Sequence, residues 1–567
     1  MTDIQAYLTA PPNHATFLTM KLVKAALNSL LCGLFFCGLL SLLFVDLNIN
    51  SRLGLPFLGR LALILFITYG LITAALALFA FAAYTFFSSR KNIAFVSPTF
   101  LSLGFSVLSF VFLLVFHGNV KHFASFFDAA GRAVLHRQWM ALLGLGLLGF
   151  LACAAYYRYH KRAAVFAAYF VLAAGLLGYA FSLRPEAPTP PAPRPPIRLE
   201  TRNAGRKVTI LELDGLSFDF IIPLISADKL PNFALLVEQG SWGRLDGFTP
   251  SDSFVLEAAF GTGQWPAHNR LVSPVSYRLG GSRTRLEVVP RFLFFGQLTR
   301  TGLLVEAPDR GPARPQDIWT ILGQTRLPFL RRDDPGEADP ARATARTETL
   351  FNLFYKNLEQ EKRPSFGRVK QALARDSLYE EAASKDRAAA SPQVFQLKLD
   401  GLTTVEQYFY RYSFPDLFGN VAPEDVSRFG SVIERYYQFY DQVIGKYLAG
   451  LKEDELLLVF SAHGMEPLPF WRRVMEGLAG DSEVSAFHEA GPEGAFFFFG
   501  KTVNREKNVE GLRIVDLAPT LLYYLGLPVG RDLDGVVRSS LFLREFTNDN
   551  PVFTISSYAD YALVPGR

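Results

Sequence analysis

Five long apolar runs crowd the first third of the chain, at roughly 25–45, 61–87, 93–116, 139–157 and 163–183. Each approaches or exceeds the ~20 residues that an α-helix needs to cross the hydrocarbon core of a bilayer. In lipid every backbone N–H and C=O must be satisfied within the protein, so uninterrupted runs of this kind fold as helices. Residues 1–183 are therefore expected to form a transmembrane domain of about five helices, with the lipid bilayer as its first partner. The fourth run is the shortest, which leaves its ends the least defined.

An odd number of spans puts the two ends of this domain on opposite sides. Lys21, Lys24, Arg90, Lys91, Arg158, Lys161 and Arg162 would share one side, and Arg52, Arg60, Lys121, Arg132 and Arg137 the other. The excess of positive charge marks the first side as cytoplasmic. The large C-terminal part is then expected outside the cytoplasm, periplasmic or extracellular. The first twenty residues are mostly polar and the first run is long enough to remain as an anchor, so no cleavable signal is read there. Cys32, Cys37 and Cys153 all fall in the spans, so the exported part has no thiols to pair, and the chain has no Asn-x-Ser/Thr sequon. Both features suit a bacterial envelope protein. The net charge of +5 is small for 567 residues and does not suggest nucleic-acid binding.

The boundary is the stretch "RPEAPTPPAPRPPIRLE", residues 184–200. Proline at this density favours extended polyproline II, a semi-rigid spacer. From residue 201 to 567 the pattern changes to an α/β one. "VTILEL", "LLLVF" and "AFFFFG" read as buried strands, and "KLPNFALLVEQG" and "FGSVIERYYQFYDQVIGKYLAGL" as helices. Such alternation predicts a sheet with helices on both faces. Residues 331–393 are charged, Ala-rich and helical, and read as an insertion or cap. Neither a P-loop nor a Rossmann glycine fingerprint occurs.

Chemistry-bearing residues gather where strands end. "ILELDG" ends on Asp214, "LLLVFSAHG" on His463, and "FHEAGPEG" offers His488 just before "AFFFFG"; "FPDLFGN" supplies Asp416 and Asn420. The soluble part has three histidines, His268, His463 and His488. Histidine with carboxylate suits zinc or a harder divalent ion. Taken singly, each has a plain alternative: an Asp-Gly pair makes turns, and a histidine at a strand end can be structural. In "TPSDSFVLEAAFGTGQWPAH" (249–268), Ser251, Asp252 and Ser253 are candidate caps of a helix start, which is also where a phosphate binds.

Taken in order, "LELDG", "SFVLEAAFGTGQWPAH", "PDLFGN", "VFSAHGM", "HEAGPEGAFFFFG" and "IVDLAPTLLYYLGLPVGRDLDG" resemble the alkaline phosphatase superfamily, and within it the type I phosphodiesterase/nucleotide pyrophosphatase group. The resemblance runs from about 208 to 537 and implies an alkaline-phosphatase-like central sheet and one or two divalent ions, zinc or manganese/magnesium. It implies that Ser253, nine residues before Thr262, is the nucleophile. Asp214, Ser253 and His463 would hold one metal; Asp416, Asn420 and His488 would hold the other. Two positions depart from the family's pattern. Asn420 stands where a histidine is usual in "D-x-x-G-H", and Ala462 where an aspartate is usual in "SDHG". An amide oxygen suits harder cations than zinc, and alanine removes a charge outright unless Asp252 or water fills the gap.

Three functions are compatible with this pattern. One is a membrane-anchored phosphodiesterase working through a phospho-enzyme on Ser253. Another is a transferase of phosphoglycerol or phosphoethanolamine type acting on envelope lipids or polymers. The last is a binding or scaffold protein on the same fold that has lost catalysis.

Overall fold

The computed structural model describes residues 14–565 apart from 50–52, 88–95, 159–163, 186–196, 202, 281, 294, 309–315, 333–347, 352, 356–357, 359–362, 420, 479 and 491. Most of the proline-rich linker therefore lies outside the described residues, as do Arg52, Arg90, Lys91, Lys161, Arg162 and Asn420. The chain divides into two compact units. One comprises Met1–Thr189 with Val272–Arg310, the other Pro190–Leu271 with Gly311–Arg567.

The first unit is built on α1 (His14–Leu47), α2 (Leu55–Leu65), α3 (Leu71–Phe87), α4 (Pro98–His122), α5 (Ala129–Arg158) and α6 (Ala164–Ser182). A π-turn at Phe66–Gly70 joins α2 to α3, so the two count as one span. Among the described residues, five helices are thus long and apolar enough to cross a membrane: Leu22–Leu47, Leu55–Ala83, Pro98–His122, Ala129–Arg158 and Ala164–Ser182. The fourth apolar run, the shortest in sequence, lies in the longest of the last three helices. α5 starts ten residues before that run and carries Arg132, His136 and Arg137 in its first turns. Apolar character marks where a helix is buried or lipid-facing, not where its backbone hydrogen bonds begin.

Residues 272–310 fold with these helices and not with the sheet. They form a small antiparallel sheet in which Val275–Leu279 pairs with both Arg285–Leu286 and Leu304–Pro308. Its loop backbone is held by two asparagines at helix ends. Asn48 Oδ1 accepts from the N–H groups of Glu287 (2.7 Å) and Val288 (2.9 Å), and its amide donates to Val288 O. Asn119 Oδ1 accepts from Arg291 N at 2.7 Å. Both asparagines are buried, so each must be satisfied within the protein, and the loop satisfies it.

The second unit is a mixed α/β sheet with helices. Its strands are β1 (Lys207–Leu213), β2 (Ser241–Asp246), β3 (Phe329–Arg332), β4 (Val394–Leu399), β5 (Glu455–Ser461), β6 (Gly494–Phe499), β7 (Lys507–Asn508) and β8 (Leu512–Arg513). The order is β7-β2-β6-β5-β1-β4-β3, with β8 also on β2, and β6 alone runs against its neighbours. Every residue of β5 is buried, as expected of a central strand covered on both faces. On one face, Leu211, Leu213, Leu397, Leu399, Leu457, Val459 and Phe497 pack under α10 (Pro364–Ala390), α11 (Gly401–Ser413) and α12 (Val432–Ala449). On the other, Val208, Ile210, Leu456, Leu458, Phe460, Phe496 and Phe498 meet α9 (Ser253–Thr262) and α14 (Ile514–Tyr524). The intervening numbers belong to α7 (Phe218–Ser226), α8 (Pro231–Gln239) and α13 (Phe470–Leu478).

The charged, Ala-rich stretch that reads as an insertion is helical, as α10. It lies between β3 and β4, which pair in parallel, and so forms the crossover such a pair requires. Its buried Phe366, Val369, Leu373 and Ala383 belong to the sheet's own core.

Candidate active site

β1, β4 and β5 run in parallel, so their carboxyl ends come to one edge of the sheet. Asp214 follows β1 directly and continues its ladder, donating from its N–H to Leu399 O at 2.9 Å. Gly215 then turns the chain at φ +96. A Cβ at Gly215 would lie 3.1 Å from Thr403 N and 3.0 Å from Glu406 Oε2, so the turn is open only to glycine. At the end of β5, Ser461 Oγ accepts from Gly215 N and donates to His463 O, locking the two strand ends together.

His463 is fully buried and turns Nδ1 to Gly464 O at 3.1 Å. Burial, reinforced by the neighbouring His488, pushes its pKa down to about 3, so the ring is neutral. The chain leaves the site after His463 and comes back through a two-residue antiparallel pair, Glu466–Pro467 with Ala486–Phe487. That return sets His488 on His463, ring centroids 4.2 Å apart and planes within 17°. His488 Nδ1 faces Ser251 O at 3.0 Å. In both rings Nδ1 thus faces a backbone carbonyl, and Nε2 is the nitrogen turned away from it. His268 is elsewhere, paired with Asp534 at 2.8 Å.

Ser253 opens α9 and is exposed. Among the three candidate caps the structure selects Asp252, whose carboxylate accepts from Phe254 N at 2.9 Å. Ser251 is buried and bonds the backbone oxygen of His488. Asp252 is thereby committed to the helix start, and Ala462 is packed in the apolar core beside Leu458 and Phe460.

Asp416 is exposed on the 3₁₀ turn Pro415–Leu417, beyond the end of α11. Thr403 and Glu406, at the start of α11, are what the carboxyl end of β4 presents to Gly215. Glu406 is fully buried, its pKa held well above the usual carboxylate range by that burial, with Tyr437 donating to Oε1 at 3.2 Å.

Lys398 is the residue of the site that strand-end reasoning passes over. In the β1–β4 register it stands directly opposite Glu212. Its Nζ lies 2.6 Å from Glu212 Oε1 and 3.3 Å from Asp214 Oδ2, and both acids are only 2% exposed. Gln396 donates to the other Glu212 oxygen at 2.8 Å. Burial alone would lower the pKa of Lys398, but the two facing carboxylates outweigh it and hold the ammonium charged. Asp214 Oδ1 is buried with no hydrogen-bond partner among the described residues. The signal was present in sequence: "LELDG" and "LKLDG" are near copies that differ by opposite charges in neighbouring buried strands.

The family implied by the sequence uses divalent metal, and the residues test whether one fits. The two histidines do, each with Nε2 free of the carbonyl that orients it. The carboxylates do not. Among the described residues no three His, Cys, Asp or Glu side chains converge on a point. Asp214 already faces an ammonium, Ala462 offers no donor, and Asp416 is exposed on its 3₁₀ turn.

No match was found among curated protein sequences. Of solved structures, a phosphonate monoester hydrolase from Silicibacter pomeroyi is similar at 16% identity and a TM-score of 0.35, over 59% of this chain and 76% of that one, too slight a likeness to carry function. The family profile described as type I phosphodiesterase / nucleotide pyrophosphatase matches residues 208–285, the segment from β1 through α9 and beyond that holds Asp214 and Ser253. Over residues 208–285 the chain is thus similar to the type I phosphodiesterase / nucleotide pyrophosphatase group of the alkaline phosphatase superfamily.

Proposed function

We propose that this chain is a membrane-anchored phosphoester hydrolase or transferase, working outside the cytoplasm, in which Ser253 is the nucleophile. The observation that carries this reading is the position of Ser253 within the matched segment. It is exposed at the first turn of a ten-residue helix, where N–H groups and the helix dipole favour a bound phosphate. α9 also packs on the face of the sheet to which Glu212, Asp214 and Lys398 belong, at the edge where β1, β4 and β5 end. In the reaction, Ser253 Oγ gives up its proton and bonds to phosphorus, while the P–O bond to the leaving alcohol breaks and that alcohol takes a proton. Water, or a second hydroxyl, then cleaves the Oγ–P bond and returns the proton to Ser253.

A substrate with an apolar tail is favoured by the rim. Phe470 (74% exposed), Trp471 (60%) and Leu417 (58%) are uncovered, and Val474 and Met475 continue the stripe on α13. Arg473 joins the two parts, its guanidinium 4.9 Å from the Phe418 ring and 5.8 Å from that of Phe470. Exposed aromatic and aliphatic side chains beside an anchored site suit a lipid-linked phosphoester, and a hydroxyl acceptor on an envelope lipid or polymer would make the enzyme a transferase.

The reading is tested with bis-p-nitrophenyl phosphate and with phospholipid headgroup donors. Ser253→Ala should lower any turnover at least ~10³-fold, and intact-mass spectrometry should detect a phospho-adduct on Ser253 only in the wild type. A second reading, a non-catalytic binding module, is favoured by the Lys398–Asp214 contact and by Ala462. It predicts no turnover in either protein and unchanged cellular function for Ser253→Ala.

A further inference from the structure

We propose that Lys398 is the resident cation of this site, standing beside Asp214 where relatives would hold a divalent ion, and that the Asp214 site takes no metal. The inference uses the phosphoesterase-fold reading only to say where a metal would be sought; its test reads metal binding, so a failed activity assay and a failed metal assay are distinguishable.

The argument starts from charge and room. An ion on Asp214 would need a contact of about 2.0–2.2 Å to a carboxylate oxygen and at least two further protein donors. Lys398 Nζ is fixed 3.3 Å from Oδ2 of that same carboxylate by a shorter bond to Glu212, so an ion there would meet a positive charge a few ångströms away. The lysine cannot readily swing aside. Its head is 10% exposed, its strand is central, and leaving would abandon two buried acids at once.

The donor set points the same way. Where the resemblance implies a second acid the chain has Ala462, buried in the core, and one oxygen of Asp252 accepts the cap bond of α9. A missing acid and an added base are complementary changes: the site loses a ligand charge and gains a cation of its own. The ammonium lies against Asp214 Oδ2, and Oδ1 is buried with no hydrogen-bond partner among the described residues.

The test uses the full chain in detergent micelles, stripped of metal and titrated calorimetrically with Zn²⁺ and Mn²⁺. Wild type is expected to show no saturable uptake that depends on Asp214. The double variant Lys398→Met with Ala462→Asp, which removes the ammonium and restores the acid, is expected to bind about tenfold more tightly or better, with a rise in melting temperature on adding metal. Should that variant not fold, Glu212→Gln with Lys398→Met and Ala462→Asp removes the pair together and keeps the comparison. Stoichiometric uptake by wild type, abolished in Asp214→Asn, would overturn the proposal. So would folded variants that bind no better than wild type.

Discussion

The two ends of the sheet's central strands each carry a buried cluster of charge, and they are built to opposite rules. At the amino end, Glu455 of β5 is bonded by Arg387 Nη2 and by the hydroxyl of Thr209 on β1. One acid meets one base and one neutral donor. At the carboxyl end, two acids share Lys398, and a carboxylate oxygen of Asp214 is left without a partner. Buried polar groups with a purely structural role are satisfied, because an unpaired one costs free energy with no return. The contrast teaches that the amino-end cluster closes the fold, whereas the carboxyl-end cluster is held open for something else.

The largest effect that would break this comparison is Arg387→Met. It strands Glu455 in the interior and should destabilise the protein by about 3 kcal/mol in chemical denaturation, leaving the properties of each folded molecule unchanged. Equal loss of function and of stability would mean that the amino-end cluster also serves the site.

A third buried acid sharpens the point through pH. Asp376 accepts from Tyr436, Tyr440 and Gly401 N, yet burial, with Asp400 adding to it, raises its pKa to about 7. Between the unfolded value near 4 and 7 the folded state holds a proton that the unfolded chain has released. Its contribution is therefore complete at low pH and is lost as pH rises through 7, at about 1 kcal/mol per unit between pH 5 and 7. Asp376→Asn should flatten that slope in melts recorded across the range; an unaltered slope would assign the titration to other groups.

The smallest expected effect belongs to Glu406→Gln. A carboxyl that burial already keeps protonated resembles the amide in shape and charge, so stability should move by less than about 1 kcal/mol. A large loss would show that Glu406 is ionised, and that the carboxyl end carries a third negative charge.

Much of this was legible in the sequence. The five spans announced themselves by length and apolarity, and the interior strands by runs such as "LLLVF" that leave no polar face. The places of Asp214 and His463 at strand ends and of Ser253 at a helix start were legible from the runs beside them. Lys398 and Glu212 were hidden for the opposite reason. They lie inside strands, where a charge reads as an interruption until the register places the two side by side. Asp416 came from the resemblance and not from a strand end: it stands exposed on a 3₁₀ turn after α11. The docking of residues 272–310 was invisible because an antiparallel pair looks the same in sequence wherever its loop is anchored.

That last segment changes what kind of object this protein is. The chain passes between its two units at residues 189–190, 271–272 and 310–311. The unit that holds the apolar helices is thus discontinuous in sequence, taking up residues 272–310 from within the stretch that builds the sheet unit. Cutting the proline-rich linker alone would leave two covalent ties intact, and a truncation beginning near residue 200 would orphan the loop whose N–H groups Asn48 and Asn119 receive. A fragment that keeps the sheet unit alone would therefore carry residues 272–310 without the helices they fold with.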